Sequence, residues 1–152
     1  MSKDERRTRF SNGFALTKYT MPVIKQMAEV IPGGFFVYSE EGDRKLIYQN
    51  KKVLDIYGCE TLDEFKELTG YTFEGMVYPE DFAKIQASID EQIDHEESEG
   101  IDHVIYRIKR KDGEIRWIDD YGRFSHSPDY GDIYYVFIND ITDTMKDKQQ
   151  AD

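Results

Sequence analysis

Three β-rich runs lying close together near the C-terminal end constrain this chain more than any other feature. They are VIYRIKR from Val104, EIRWIDDY from Glu114 and IYYVFINDIT from Ile133. The first two are joined through Lys111-Asp112-Gly113-Glu114. Asp-Gly between such runs marks a tight hairpin, because a two-residue turn needs the positive φ that glycine adopts without steric cost. Successive side chains of a strand point to opposite faces, so Tyr134, Val136 and Ile138 share one face while Tyr135 and Phe137 share the other. Both faces of the third run are apolar. That predicts a strand covered on both sides and placed centrally in its sheet.

The upstream chain reads as strand, strand, then several short helices. Thr20 as N-cap and Pro22 in the first turn predict a flanking helix over 20–31. Its Val23, Ile24, Met27, Ala28 and Ile31 form a stripe at helical spacing, and Pro32-Gly33-Gly34 ends it. GFFVYSE (34–40) and KLIYQN (45–50) read as strands around the polar turn EEGDR. Asn50 caps a short helix through Val53, Leu54 and Tyr57, closed by Gly58. Thr61 and Glu64 form a capping box for a helix ending at Gly70. Residues 71–78 read as short and irregular. Pro79 opens a longer helix with Phe82, Ile85, Ile89 and Ile93 along one side, and its acidic end, DEQIDHEESEG, reads as solvated. Residues 1–19 form a polar tail with scattered aromatics, leaving disorder and a helix both open. Residues 144–152 read as the start of a further helix. Strands and helices do not alternate regularly, which argues against a doubly wound parallel sheet and for an α+β fold.

A chain of 152 residues fits one domain with tails. Its formal charge of −11 argues against nucleic acid as a partner and against anionic membranes. No apolar run approaches the roughly 20 residues of a membrane-crossing helix, and MSKDERRTRF lacks the apolar stretch of a signal peptide. The single cysteine, Cys59, cannot form an internal disulfide, so a cytoplasmic protein is expected.

RKDGEIRW followed by VFINDITD resembles the C-terminal half of a PAS domain, a sensory module of bacterial signalling proteins. Asp140-Ile141-Thr142 resembles that family's signature where the last strand hands over to an output helix. GGFFVY and LIYQN resemble the two opening strands, and Asn50 with VLDIYG resembles the Asn-led short helix. TLDEF, MVYPED and the long helix come next in order, so the resemblance covers roughly residues 25–143. It implies a five-stranded antiparallel sheet over residues 32–143, with short helices on one face and the 20–31 helix flanking it. It implies a homodimer through Val23, Ile24, Met27 and Ile31. It also implies a signal relay through Asp140, Ile141 and Thr142 to an output domain beyond residue 152, of the diguanylate cyclase or histidine kinase kind. The space between sheet and helices is where such domains hold a ligand.

Strand parity within that fold turns Phe36, Tyr38, Tyr106, Ile108, Ile118, Tyr134, Val136 and Ile138 toward the helices. Leu54, Tyr57, Phe65, Met76, Ile85 and Ile89 meet them from the helical side. The lining reads as apolar with tyrosine hydroxyls for polar handles, which suits a small apolar or aromatic ligand; the same residues equally describe a filled core. The resemblance departs in places. Residues 71–78 hold no cysteine for the flavin-binding branch, Cys59 falls just after the first short helix, and Ile138 stands where that branch has Gln. No His opens the long helix to hold heme, and Tyr78 stands where relatives often have His. Photoactive flavin and heme are therefore not expected, and no other cofactor is specified.

His95, His103 and His126 read as surface residues. Asp119 and Asp120 point to opposite faces and cannot share one proton; if either is buried, Arg116 or Arg123 is the expected partner. Trp117 is expected on the outer face beneath the 20–31 helix with Tyr135 and Phe137. Asp90, Asp94, Glu96, Glu97 and Glu99 lack the spacing of a calcium loop. No Ser/His/Asp arrangement, phosphate-cradling loop or Cys/His spacing proposes a catalytic residue or a metal site. Two readings remain: a regulatory interaction module, or a small-molecule receptor.

Overall fold

The computed structural model describes residues 1–10 and 13–151. In chain order the elements are α1 (Lys3–Phe10), α2 (Met21–Ala28), β1 (Gly34–Ser39), β2 (Leu46–Gln49), α3 (Lys51–Ile56), α4 (Leu62–Thr69), α5 (Phe73–Met76), α6 (Pro79–Asp94), β3 (Ile101–Lys109), β4 (Ile115–Ser127), β5 (Gly131–Asp140) and α7 (Thr142–Ala151). The strands form one antiparallel sheet in the order β2-β1-β5-β4-β3. β5 lies at the centre, as its two apolar faces predicted.

Local signals account for most of the elements. Asn50 Oδ1 accepts from Val53 N at 3.2 Å to open α3, and Thr61 Oγ1 accepts from Glu64 N at 3.1 Å to open α4. The β3–β4 hairpin has a three-residue loop in place of the expected two. Arg110 N donates to Glu114 O, Gly113 N donates to Arg110 O, and Gly113 takes φ +87°. A turn followed by a left-handed glycine is the three-residue solution to the same geometric problem. Residues 71–78, read as irregular, contain the short α5, opened by Thr72 Oγ1 accepting from Gly75 N at 3.0 Å.

The flanking helix is shorter than its stripe. α2 ends at Ala28 rather than Ile31: Pro32 keeps Ile31 out of the α region, and Asn50 Nδ2 donates to the Ala28 carbonyl at the helix end at 2.8 Å. Thr20 does not cap α2 with its side chain; its Oγ1 accepts from Thr17 N and holds the preceding turn.

The sheet divides two apolar layers. On the inner face, α3 to α6 cover a large core. On the outer face, Leu16, Met21, Ala28, Phe35, Val37, Tyr48 and Ile133 form a smaller one beneath α2. A helix of 8 residues is only ~12 Å long and spans two or three strands at about 4.8 Å each. The outer face of β3 and β4 is left open, which corrects the placement of Trp117. The indole lies not under α2 but beside the Arg107 guanidinium, 5.7 Å from the ring centre.

Candidate functional site

The inner core gathers every predicted lining residue. Phe36, Tyr38, Tyr106, Ile108, Ile118, Tyr134, Val136 and Ile138 from the sheet meet Leu54, Tyr57, Phe65, Met76, Ile85 and Ile89 from the helices in one buried cluster. The Tyr38 ring stacks on Tyr134 at 5.2 Å and on Phe73 at 4.6 Å, and Tyr57 Oη donates to Met76 O at 2.9 Å. Phe73, Ile93, Val104 and Phe124 belong to the same cluster. Of these, only Ile93 stood in a stripe that sequence spacing picked out.

The lining is not purely apolar. Register pairs Val104 with Asp120 and Asp102 with Gly122, so both carboxyls share the inward face of Tyr106 and Ile118. Each is 2% exposed. Tyr106 Oη donates to Asp120 Oδ2 at 2.6 Å. The partner of Asp120 is thus a tyrosine rather than Arg116 or Arg123. Burial, then repulsion from Asp102, drives the Asp120 carboxyl well above the ordinary range. Burial alone does most of the work on Asp102, pushing it up to about 7, with Asp90 and Glu40 adding to the shift and His103 opposing it. A Cβ on Gly122 would sit 2.7 Å from Asp102 Oδ2, so the missing side chain there makes room for the carboxyl.

Asp119 points the other way and pairs with His103, whose ring stacks on Tyr121 at 4.2 Å. His126 Nδ1 lies 2.8 Å from Asp132 Oδ1. Both histidines are therefore held by carboxylates.

The second constellation is the junction between β5 and α7. Asp140 Oδ1 accepts from Thr142 N at 3.0 Å and from Thr142 Oγ1 at 2.6 Å, while Arg116 Nε donates to Asp140 Oδ2 at 2.8 Å. Thr142 Oγ1 in turn accepts from Trp117 N at 2.8 Å, and Ile141 N donates to Trp117 O at 2.9 Å. Partial burial works to raise the Asp140 carboxyl, but the bonds from Arg116 and Thr142 outweigh it and hold the group below its usual value. The first turn of α7 is thereby clasped to β4.

On the outer face, Val23 and Met27 of α2 are exposed, while Ile24 and Ile31 are partly buried against the smaller core. Beside them an apolar groove of about 410 Å³ runs between α2 and the sheet, lined by Met27, Ile31, Phe35, Tyr135 and Phe137 among others.

The PAS fold family matches residues 46–139, more than half of the chain. The chain belongs to the PAS family. PAS domains are sensory modules of signalling proteins and are generally non-catalytic. Solved structures agree on the fold. A PAS domain from Colwellia psychrerythraea superposes with a TM-score of 0.61 at 20% identity, covering 81% of this chain and 98% of that one. The LOV protein of Rhodobacter sphaeroides gives 0.64 at 13% identity, covering 83% and 69%. A PAS domain of a LuxR-family transcriptional regulator from Burkholderia thailandensis, solved in complex with ethanol, gives 0.53 at 23% identity, covering 77% and 96%. No curated protein matches the sequence significantly. In this PAS domain no helix among the described residues is long and apolar enough to cross a membrane.

Proposed function

We propose that the chain is the sensory, regulatory domain of a bacterial signal-transduction protein. It passes a conformational bias from the sheet through Asp140, Ile141 and Thr142 into α7 and on to a C-terminal output domain of the diguanylate cyclase or histidine kinase kind. It works as a homodimer in the cytoplasm, through Val23, Ile24, Met27 and Ile31. The observation that carries this reading is the clasp at the β5–α7 junction. Asp140 and Thr142 tie the start of α7 to Trp117 and Arg116 of β4, so a shift in sheet register or tilt is transmitted to the helix axis. The fold likeness to a sensor histidine kinase PAS domain supports the choice of output.

Replacing Asp140 by Ala tests the relay. Hydrogen exchange in the first turn of α7 should rise by about five- to thirtyfold, as a loss of about 1–2 kcal/mol from the clasp requires. With α7 fused in frame to a histidine kinase catalytic domain, the same substitution should change the autophosphorylation rate. Unchanged exchange together with an unchanged rate would sink the relay.

The second reading is a small-molecule receptor. Buried polar atoms in the inner core favour it: among the described residues, Asp102 Oδ1 and Tyr134 Oη have no hydrogen-bond partner. An apolar or aromatic ligand with a donor group should raise the melting temperature of the native protein.

A further inference from the structure

The groove between α2 and the outer face of the sheet has a chemistry of its own. Its volume of about 410 Å³ falls within the roughly 300–1,000 Å³ of small-molecule sites. Met27 and Ile31 line its helical side, and Phe35, Tyr135 and Phe137 line its floor. Phe35 and Phe137 are direct partners in the β1–β5 register, with ring centres 5.0 Å apart. Among the described residues, Arg123 is the only charged side chain on its walls.

The cation and the apolar residues are laid out in line. Arg123 stands on β4 directly opposite Tyr135 of β5, and Phe137 lies two residues further along the same face of that strand. From β4 across β5 to β1 is two strand spacings, roughly 10 Å. The groove therefore has a cationic end on β4 and an apolar run leading from it to α2. Arg6, Arg7, Arg107, Arg110 and Arg116 are each ion-paired within the chain. Arg123 is exposed and has no ion pair or hydrogen bond among the described residues. An unpaired guanidinium presents a fork of donors that matches a carboxylate. The formal charge of −11 repels anions from the chain at large, so the anion this groove selects is one that brings apolar surface with it.

We propose that the groove binds a small carboxylate with an apolar tail, of the medium-chain fatty acid class. The carboxylate sits on Arg123 and the tail runs over Phe137 and Phe35 beneath Met27, whose unbranched side chain adapts to it. The receptor reading above concerns the inner core, on the other face of the sheet. This inference goes beyond that reading and beyond the relay, and rests on neither.

The probe is decanoate at submicellar concentration, titrated calorimetrically into the full chain at low micromolar protein, with decanol as the uncharged control. Arg123→Gln should weaken decanoate binding at least about tenfold, the loss of a charge-assisted pair, and leave decanol binding unchanged. Met27→Glu should weaken both. Octanoate, two methylenes shorter, should bind about tenfold more weakly than decanoate. Both substituted side chains are exposed, so both variants should keep the far-ultraviolet circular dichroism of the wild type. Decanoate binding that neither substitution weakens would place the ligand elsewhere and overturn the site. A loss in R123Q that is equal for decanoate and decanol would overturn the carboxylate class. No decanoate binding to a chain that dimerises at higher concentration would assign the groove to a second copy, and the proposal falls.

Discussion

At the scale of single residues, the inward carboxyls set the pH response. Asp102 is raised from 3.8 to about 7, so between these values the native state holds a proton that the unfolded chain releases. Stability is then fully present below about pH 4 and lost as pH rises through about 7. Each unit of separation is worth about 1.4 kcal/mol, so a few kcal/mol are involved. The charges that act on Asp102 are those of Asp120 from β4, Asp90 from α6, Glu40 beyond β1 and its chain neighbour His103 on the opposite face of the sheet. Only His103 opposes the rise. Thermal melts across pH 4–8 should show the wild type losing stability toward neutrality. Asp102→Asn should flatten that slope and be the more stable of the two at pH 8. A D102N profile parallel to the wild type would refute the assignment. Sequence parity had separated Asp119 from Asp120 correctly, but a carboxyl next to Val104 and Tyr106 in a different strand leaves no mark in spacing. The pairing of Asp102 with Asp120 exists only through the β3–β4 register.

At the scale of elements, Asn50 does more than open α3. It is 1% exposed. Its Oδ1 accepts from Phe35 N at 3.0 Å as well as from Val53 N, and its Nδ2 donates to Ala28 O at 2.8 Å and to Gly33 O at 3.0 Å. One amide thus fastens the end of α2, the turn before β1, β1 itself and α3. Asn50→Ala leaves several buried backbone groups unpaired at about 1–3 kcal/mol each, so urea denaturation should give a loss of about 3 kcal/mol or more. A loss below about 1 kcal/mol, the value of an ordinary cap, would mean that the other bonds are dispensable. The capping role was legible in Asn50 followed by an apolar stripe. The bridge to α2 was not, because nothing local ties Ala28 to Asn50. α5 escaped notice for a related reason. Four residues give no period to detect, and Gly75 is there because a Cβ would come 1.6 Å from Thr69 O.

At the scale of the molecule, both edges of the sheet are closed and one face is open. β3 lies at one edge, where Gln92 bonds both His103 N and His103 O while Asp81 and Tyr78 take Arg107 N and Arg107 O. At the other edge, Leu46 N donates to Tyr71 O. Edge-to-edge pairing is thereby blocked. The outer face, in contrast, exposes Val23 at 55%, Met27 at 58%, Tyr121 at 48% and Phe137 at 48%. A grouping of large apolar side chains of this kind is what an association surface presents. Sedimentation of the wild type at high micromolar concentration should give a dimer. Val23→Lys should shift it to monomer while changing unfolding stability by no more than about 0.5 kcal/mol, since Val23 is a surface position. A wild type that stays monomeric would rule out this mode of assembly.

What the sequence alone determined is whatever rests on short-range geometry. The Asp112-Gly113 hairpin, the alternation of β5, the caps at Asn50 and Thr61 and the stripe of α6 are each encoded within about a dozen residues. Together they specified a mixed α+β chain with one antiparallel hairpin and a central last strand, and the resemblance to PAS domains supplied the five-stranded antiparallel sheet. The tertiary structure decided everything that joins distant segments. It brought α1 onto the far end of α6 and β4, although a polar N-terminal octapeptide carries no periodic signal of its own. It placed Asp102 and Asp120 inside, where charge in the sequence argues for solvent. The physical reason is common to these cases. The free energy of a buried ion pair or carboxyl depends on the groups that surround it in space, and for Arg6, Asp94 and Glu40 those groups come from three separate stretches of chain.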